Sequence, residues 1–267
     1  MALTLDHAPV HPPTFSLCLQ ERIDYGTEAQ EPTSVLRFGA VAVPSRSIAS
    51  RWFGRRGLPR FEAWLTWPAV FAPGSAMPRF YSLASGDRDG VVEICVRKQP
   101  GGLCSTYLHG LQPGDQITAF IQPNPQFRLA SGKAPVILIG AGTGIGPLAG
   151  FIRNNTGRHP MYLYWGGRDP ESDFLYQPEL RNYLADHAAD ATAYRLFAVR
   201  DGERVQNRLT GDADNLRSLV GSGGQVLVCG SRAMADSVRL ALNDILAPLQ
   251  LDVQTLRTQG RYREDVF

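Results

Sequence analysis

The sequence predicts two domains, an antiparallel β-barrel followed by a doubly wound α/β sheet. Three observations carry that prediction. A length of 267 residues exceeds what a single core usually takes and suits two domains of roughly 130 residues each. Up to residue 131, short apolar or alternating runs succeed one another with Gly and Pro turns between them, as in antiparallel all-β domains. From Pro135 onward, short apolar runs alternate with helical stretches, the pattern of a parallel sheet covered on both faces. The segment Leu129-Ala130-Ser131-Gly132-Lys133 marks the boundary, giving domains 1–131 and 132–267.

In the first domain the expected strands are Phe15–Leu19, Val35–Val43, Arg79–Leu83, Val91–Arg97 and Gln116–Ile121. Pro73-Gly74, Gly86-Asp87 and Pro113-Gly114-Asp115 supply turns. One helix is expected at Ser105–Leu111, just after Gly101-Gly102. In the second domain the strands are Val136–Ile139, Met161–Trp165, Tyr194–Val199 and Val226–Cys229, largely β-branched or aromatic. Helices are expected at Pro147–Asn154, Pro178–His187, Asn215–Val220 and Ala233–Leu246.

Composition narrows the function. A net charge of +2 offers no basic field for nucleic acid. Cys18, Cys95, Cys104 and Cys229 have no CxxC or other metal-ligand spacing and read as reduced thiols, which points to a cytoplasmic protein. No apolar run approaches the ~18 residues that cross a bilayer. The first residues, with Asp6, His7 and several prolines, do not resemble a signal peptide.

Four segments carry chemistry. The first is Pro78-Arg79-Phe80-Tyr81-Ser82-Leu83-Ala84-Ser85, with a fixed cation, an aromatic ring and a hydroxyl within four residues. Strand alternation would send Arg79 and Tyr81 to one face and Ser82 to the other. A flavin dinucleotide needs such a set: a guanidinium for its pyrophosphate, a ring beside the isoalloxazine and a hydroxyl near the reactive nitrogen. The same string also reads as a plain strand that happens to carry Arg and Tyr.

The second segment, Gly101-Gly102-Leu103-Cys104-Ser105-Thr106-Tyr107-Leu108, leads glycines into a helix start whose N–H groups favour an anion. Ser105 and Thr106 can cap that helix or bond a phosphate. The third, Ile139-Gly140-Ala141-Gly142-Thr143-Gly144-Ile145-Gly146-Pro147, is neither G-x-G-x-x-G nor a P-loop. It remains a strand-loop-helix anion cradle at the carboxyl end of a parallel sheet, with Pro147 suited to the first helical turn. The fourth group lies at later strand ends. Cys229 precedes Gly230-Ser231 and reads either as apolar filler or as a reactive thiol. Arg200 and Arg204 either clamp a phosphate or pair with Asp201 or Glu203 in a solvated loop. The run Gly260-Arg261-Tyr262-Arg263-Glu264-Asp265-Val266-Phe267 puts an apolar aromatic where a polar, frayed end is usual.

In this order, and with Tyr164-Trp165-Gly166-Gly167-Arg168, Asp173-Phe174-Leu175-Tyr176 and Leu227-Val228-Cys229-Gly230, these motifs resemble the ferredoxin–NADP reductase superfamily. They are most similar to the FAD/NADPH module of the diflavin reductases, the sulfite reductase flavoprotein and NADPH–cytochrome P450 reductase type. The resemblance runs from about Phe61 to Phe267.

It implies FAD and NADPH as cofactors and a role for each matched residue. Arg79 would hold the FAD pyrophosphate, Tyr81 would pack on the flavin and Ser82 would hydrogen-bond near N5. Cys95 and Arg97 would line the ribityl and phosphate path, and Gly102, Leu103, Cys104 and Ser105 would contact the pyrophosphate. Gly142, Thr143 and Gly144 would meet the NADPH pyrophosphate. Arg168, Arg200, Arg204 and Gln206 would lie along the nucleotide, the last three at the 2′-phosphate and adenosine. Ser82, Cys229 and Asp265 would form the polar set around hydride transfer, and Phe267 would cover the isoalloxazine until nicotinamide displaces it. The chain departs from the family in Val199 before Arg200, in Arg204 where tyrosine is common, and in Phe267 where Trp or Tyr is typical.

The implied activity is that of an NADPH-dependent flavoprotein reductase of the NADPH–haemoprotein reductase type. Its one-electron acceptor would be a flavodoxin-like domain or a haem protein, or, for a stand-alone reductase, ferredoxin or flavodoxin. No flavodoxin domain precedes these motifs, so a separate acceptor protein or a larger system is expected. Arg51, Arg55, Arg56 and Arg60 either dock such a carrier or form a solvated charge run.

Overall fold

The computed structural model describes residues 14–26, 31–41, 66–70, 77–86, 89–155, 159–167, 174–186, 194–199 and 204–267. Its first part contains β1 (Phe15–Tyr25), β2 (Thr33–Ala40), β3 (Thr66–Val70), β4 (Arg79–Phe80), β5 (Val92–Arg97) and β6 (Gln116–Pro123). All pairings are antiparallel, in the order β4-β3-β6-β1-β2-β5. The segment leaving β4 crosses to the other edge. Leu83 bridges Ile94, and the Ala84 N–H donates to the Glu93 carbonyl at 2.8 Å, so the sheet curls toward a barrel.

Period-two alternation fills the interior. Leu17 and Leu19, Leu36 and Phe38, and Val92, Ile94 and Val96 share one core with Leu108 and Leu111 around helix α1 (Leu103–Gly110). The intervening Val35 and Cys95 face outward, yet they too are buried, because they belong to the core of the second part. The outer face of β2 and β5 is therefore the seam between the two sheets.

The second sheet comprises β7 (Val136–Ala141), β8 (Met161–Gly166), β9 (Tyr194–Val199), β10 (Gln225–Gly230) and β11 (Tyr262–Val266). Its strands run parallel in the order β11-β10-β7-β8-β9. Every residue of β10 is buried, as expected for a strand covered on both faces. One face (Ile137, Ile139, Tyr164, Val226, Val228) packs on α4 (Val205–Gly211), α5 (Ala213–Gly221), α6 (Arg232–Leu246) and α7 (Val253–Thr258). The other (Leu138, Leu163, Trp165, Leu227, Cys229) packs on α2 (Ile145–Asn154), on the start of α3 (Gln177–Asp186) and on the first sheet.

The expected antiparallel sheet followed by a parallel α/β sheet is thus observed, with local differences. The expected strand Arg79–Leu83 shrinks to Arg79–Phe80, because only Phe80 and Arg79 pair with Ala69 and Val70 before the chain leaves β3. The expected strand at Val35–Val43 ends at Ala40, where Val41 N–H is taken by the Ser16 carbonyl; Val43 lies outside the described residues. Strand β3, helices α4 and α7, and strand β11 were not expected. Helix α1 starts at Leu103, two residues before Ser105, and α2 starts at Ile145 after a 3-10 turn at Gly142–Gly144. The stretch between the sheets is pinned by Gln225, whose side-chain amide accepts from Ala130 N–H at 2.8 Å and donates to the Arg128 carbonyl at 2.9 Å.

Candidate functional site

Two contiguous hollows, of about 390 and 410 Å³, form one groove along the seam. They share Phe80, Tyr81, Gln99 and Ser105. Such volumes are typical of sites that enclose organic ligands.

At the inner end the two sheets meet chemically. Ser82 leaves β4 after the strand has ended, so its hydroxyl is directed by the crossing to β5 rather than by strand alternation. Its Oγ donates to Asp265 Oδ2 at 2.6 Å, across 183 residues of chain. Asp265 is placed by β11, where it stands beside Cys229 in the parallel ladder with β10, and it is only 6% exposed. A short bond to a carboxylate is charge-assisted and directional. Cys95, Arg97, Thr143 and Phe267 line the same hollow.

Cys229 takes the apolar-filler alternative rather than the place among groove-lining groups that the resemblance implies. It is fully buried and does not line the groove, lying with Cys95 and Trp165 in the core beneath it. Burial first, then the neighbouring charge of Asp265 and the Cys95 thiol, push its titration far up, so it is a neutral thiol. Cys95 is likewise held protonated by burial and by Glu93.

At the outer end, Arg79 is exposed and lines the hollow with Gly101, Gly102 and Leu103. Gly101 adopts φ +69 with nothing within 4 Å of where a Cβ would stand, so its backbone turns toward open groove. Neither Ser105 nor Thr106 caps α1. Gly102 is the cap, with no side-chain bond, and Ser105 Oγ instead accepts from Gln99 N–H at 3.1 Å and donates to the Gly102 carbonyl at 3.2 Å. That pair tightens the glycine turn. Burial, and then the neighbouring Cys104 thiol, raise the titration of Tyr81 well above the ordinary value. Cys104 itself is buried, with its thiol toward the Val70 carbonyl, and lines the outer hollow.

The glycine-rich loop follows β7. Gly144 must be glycine, because a Cβ there would lie 2.6 Å from the Cys229 carbonyl carbon. Gly142 has φ +53, its carbonyl accepts from Trp165 Nε1 at 3.1 Å, and the Arg97 guanidinium lies against its α-carbon. Trp165 in turn stacks on Phe174 at 4.7 Å. Arg204 is exposed and occupies the N-cap position of α4, with Gln206 half-buried two residues on. Arg168 and Arg200 lie outside the described residues, as do Arg51, Arg55, Arg56 and Arg60. The sequence reading missed Gln99, Gln122 and Phe80 as groove residues. Phe80 had a signal, since it sits between Arg79 and Tyr81; the glutamines had none.

The rim tests the fit of a flat heteroaromatic ligand. Of the six large apolar side chains left exposed among the described residues, four line the groove: Met77 (67%), Phe80 (51%), Leu103 (62%) and Phe267 (61%). Apolar plates around a hollow with a hydroxyl, a carboxylate and a guanidinium at its edges match a ring system that is apolar on its faces and polar along one edge.

Residues 65–123 match the oxidoreductase FAD-binding domain family, and residues 138–240 the oxidoreductase NAD-binding domain family. The chain belongs to the ferredoxin–NADP reductase superfamily. It is 31% identical over 219 residues to NADPH oxidoreductase A of Dictyostelium discoideum, covering 72% of this chain and 34% of that protein. It is 32% identical over 252 residues to nitric oxide synthase 3 of Sus scrofa, covering 86% of this chain and 20% of that protein. With the sulfite reductase [NADPH] flavoprotein alpha-component of Shigella boydii it shares 31% over 217 residues, 71% of this chain and 36% of that protein. The chain therefore spans only about a fifth to a third of these relatives. The two matched families are oxidoreductase domains that bind FAD and a nicotinamide nucleotide. The two matched stretches contain Arg79, Ser82 and Thr143 but stop short of Asp265 and Phe267, which the fold returns to the groove. Among the described residues, no helix is long and apolar enough to cross a membrane.

Proposed function

We propose that this chain is the NADPH-oxidising module of an electron-transfer system. It would deliver electrons to a flavodoxin-like domain or a haem protein, in the manner of an NADPH–haemoprotein reductase. Residues 1–131 would carry FAD and residues 132–267 NADPH. When bound, the cofactor pair supplies hydride transfer from nicotinamide to flavin and release of the electrons singly.

The residues supply placement and charge. Arg79 and the backbone of Gly101 to Ser105 would hold the FAD pyrophosphate. Thr143 and its glycines would hold that of NADPH, with Arg200 and Arg204 at the 2′-phosphate. Ser82 donates its hydroxyl proton to Asp265, and Asp265 would supply negative charge near the ring on which positive charge develops. Cys229, as a buried thiol, would support Asp265 from below. Phe267 would shield the ring face from water. The four free cysteines suit a reducing, cytoplasmic setting.

The observation that carries this reading is the 2.6 Å Ser82–Asp265 bond, which joins the segment after β4 to the last strand of the parallel sheet at one groove. A non-catalytic flavin carrier needs no such pair. The test is to purify the protein with FAD and add NADPH under nitrogen. The yellow colour should bleach within the mixing time and return on adding a flavodoxin or a cytochrome. Colour that persists in NADPH would refute the reading, and return with ferredoxin alone would redirect the acceptor.

A further inference from the structure

The glycines read as a nucleotide cradle have a second face. Gly142, Gly146 and Gly150 recur at a spacing of four, which puts them on one side of α2 and its leading turn. Each lies against the first sheet. A Cβ on Gly142 would meet the Arg97 guanidinium, one on Gly146 would lie 3.2 Å from Cys95 Cβ, and one on Gly150 would lie 2.9 Å from the Ala84 carbonyl oxygen. The next residue in the series, Asn154, touches Gly86 and donates to Asp89 Oδ2 at 3.3 Å. Small residues let α2 ride directly on the backbone that carries Ser82 and on the strand that carries Cys95.

Arg153 fastens that seam. Its guanidinium donates to the Ala84 carbonyl at 3.1 Å, to Asp89 at 3.3 Å, to Glu93 at 3.2 Å and to Glu179 at 2.6 and 2.9 Å. Glu93 is 1% exposed and is also bonded by Arg37 Nε at 2.5 Å. Its backbone holds the same crossing segment, through the Ala84 N–H and through Ser85 Oγ. One side chain from α2 thus grips the segment two residues after Ser82, the strand leading to Cys95 and Arg97, and the start of α3. Buried, multiply bonded ion pairs add geometric definition more reliably than net stability.

The geometry points to Arg153 as a positioning residue that, with the glycine face of α2, holds Thr143 and Asp265 in register with Ser82 across the seam. α2 packs on β7 and β10 through Leu148, Ala149 and Ile152, and β10 carries β11 with Asp265, so a shift of α2 moves the carboxylate relative to the hydroxyl. This rests on the function proposed above.

The test compares Arg153→Met, Arg153→Lys and Gly150→Ala as FAD-loaded proteins. Lysine keeps the charge but cannot reach the partners as a planar fork. Alanine at 150 leaves every charge in place and wedges the seam apart. The limiting rate of flavin bleaching at saturating NADPH should fall about tenfold in Arg153→Met and Gly150→Ala, and by less in Arg153→Lys, since misplacement by a fraction of an ångström acts on rate. The KM for NADPH and the dissociation constant for FAD should stay within about twofold, because no ligand contact is removed. Scanning calorimetry supplies a readout without turnover: one unfolding transition in the parent protein should split into two in Arg153→Met. Wild-type rates with a single transition in both Arg153→Met and Gly150→Ala would overturn the inference. If Arg153→Met does not fold, Gly150→Ala and Arg153→Lys decide it. A parent protein that never bleaches removes the functional reading, and the calorimetric comparison then decides the seam by itself.

Discussion

Replacing Asp265 by Asn isolates the contribution of one charge to the groove. The side chain is 6% exposed and isosteric with its replacement, so neither cavity nor strain follows. What changes is the bond to Ser82, observed at 2.6 Å. A hydrogen bond to a charged group contributes roughly 1.5–3 kcal/mol, and one between neutral groups roughly 0.5–1.5 kcal/mol. The substitution therefore weakens this bond by about 1–1.5 kcal/mol. If that loss falls on the transition state, at about 1.4 kcal/mol per decade it slows flavin reduction by about 5–12-fold. Under the proposed function, loss of the carboxylate's charge near the developing nicotinamide cation would add to this, so fivefold is the lower bound. Stopped-flow bleaching of the FAD-loaded protein by NADPH measures the rate, and fluorescence titration with FAD measures binding, which should hold within about twofold. Ser82→Ala in the Asp265→Asn background should cost less than in the parent, since the bond is already weakened. An unchanged bleaching rate, or a fall in FAD affinity as large as the fall in rate, would refute the reasoning.

Gly144→Ala forces a Cβ to within 2.6 Å of the Cys229 carbonyl carbon, which is backbone and cannot swing away; NADPH-driven bleaching should be lost while FAD is retained, and the melting midpoint should fall by several degrees, as for overpacking of about 1–3 kcal/mol. Arg200→Ala should raise the KM for NADPH while leaving that for NADH nearly unchanged, and equal changes would show that Arg200 does not read the 2′-phosphate. His109 is held below its ordinary 6.5, chiefly by burial, against the opposing pull of its bond to the Val96 carbonyl and with help from the Arg22 charge. The unfolded chain then takes up the proton first as pH falls, so this contribution to stability is complete above about pH 6.5 and is lost through the folded value below it. Melting midpoints should decline between about pH 7 and pH 5.5, and His109→Gln should flatten that decline.

Much of this architecture is written in local pattern. Alternation in Phe15–Leu19 and the unbroken apolar run Val136–Ile139 identify strands with one or two covered faces, because burial on a pleated strand has a period of two. The glycine-rich loop is legible because glycine is demanded wherever backbone approaches backbone, as Gly144 does at Cys229. Other elements hid. Tyr262–Val266 contains Arg263, Glu264 and Asp265 and has no strand signature. It is a strand because β10 presents a free edge to it, and because its charges find partners elsewhere, Glu264 with Arg239 and Arg257, Arg263 with the Gln126 carbonyl. Ser105 looked like a cap and became an internal tie, since Gly102 already occupies the cap position.

The residue types on their own determined the two sheets, their order, and the side chains available for a flavin and a nicotinamide nucleotide, since composition and short-range sterics act within a few residues. Only the tertiary structure decided that Ser82 meets Asp265, that Cys229 sinks beneath the groove rather than into it, and that the glycine helix turns its bare side to the barrel. Those outcomes depend on how two separately formed layers dock, and docking is governed by the summed fit of distant surfaces, which no window along the chain contains.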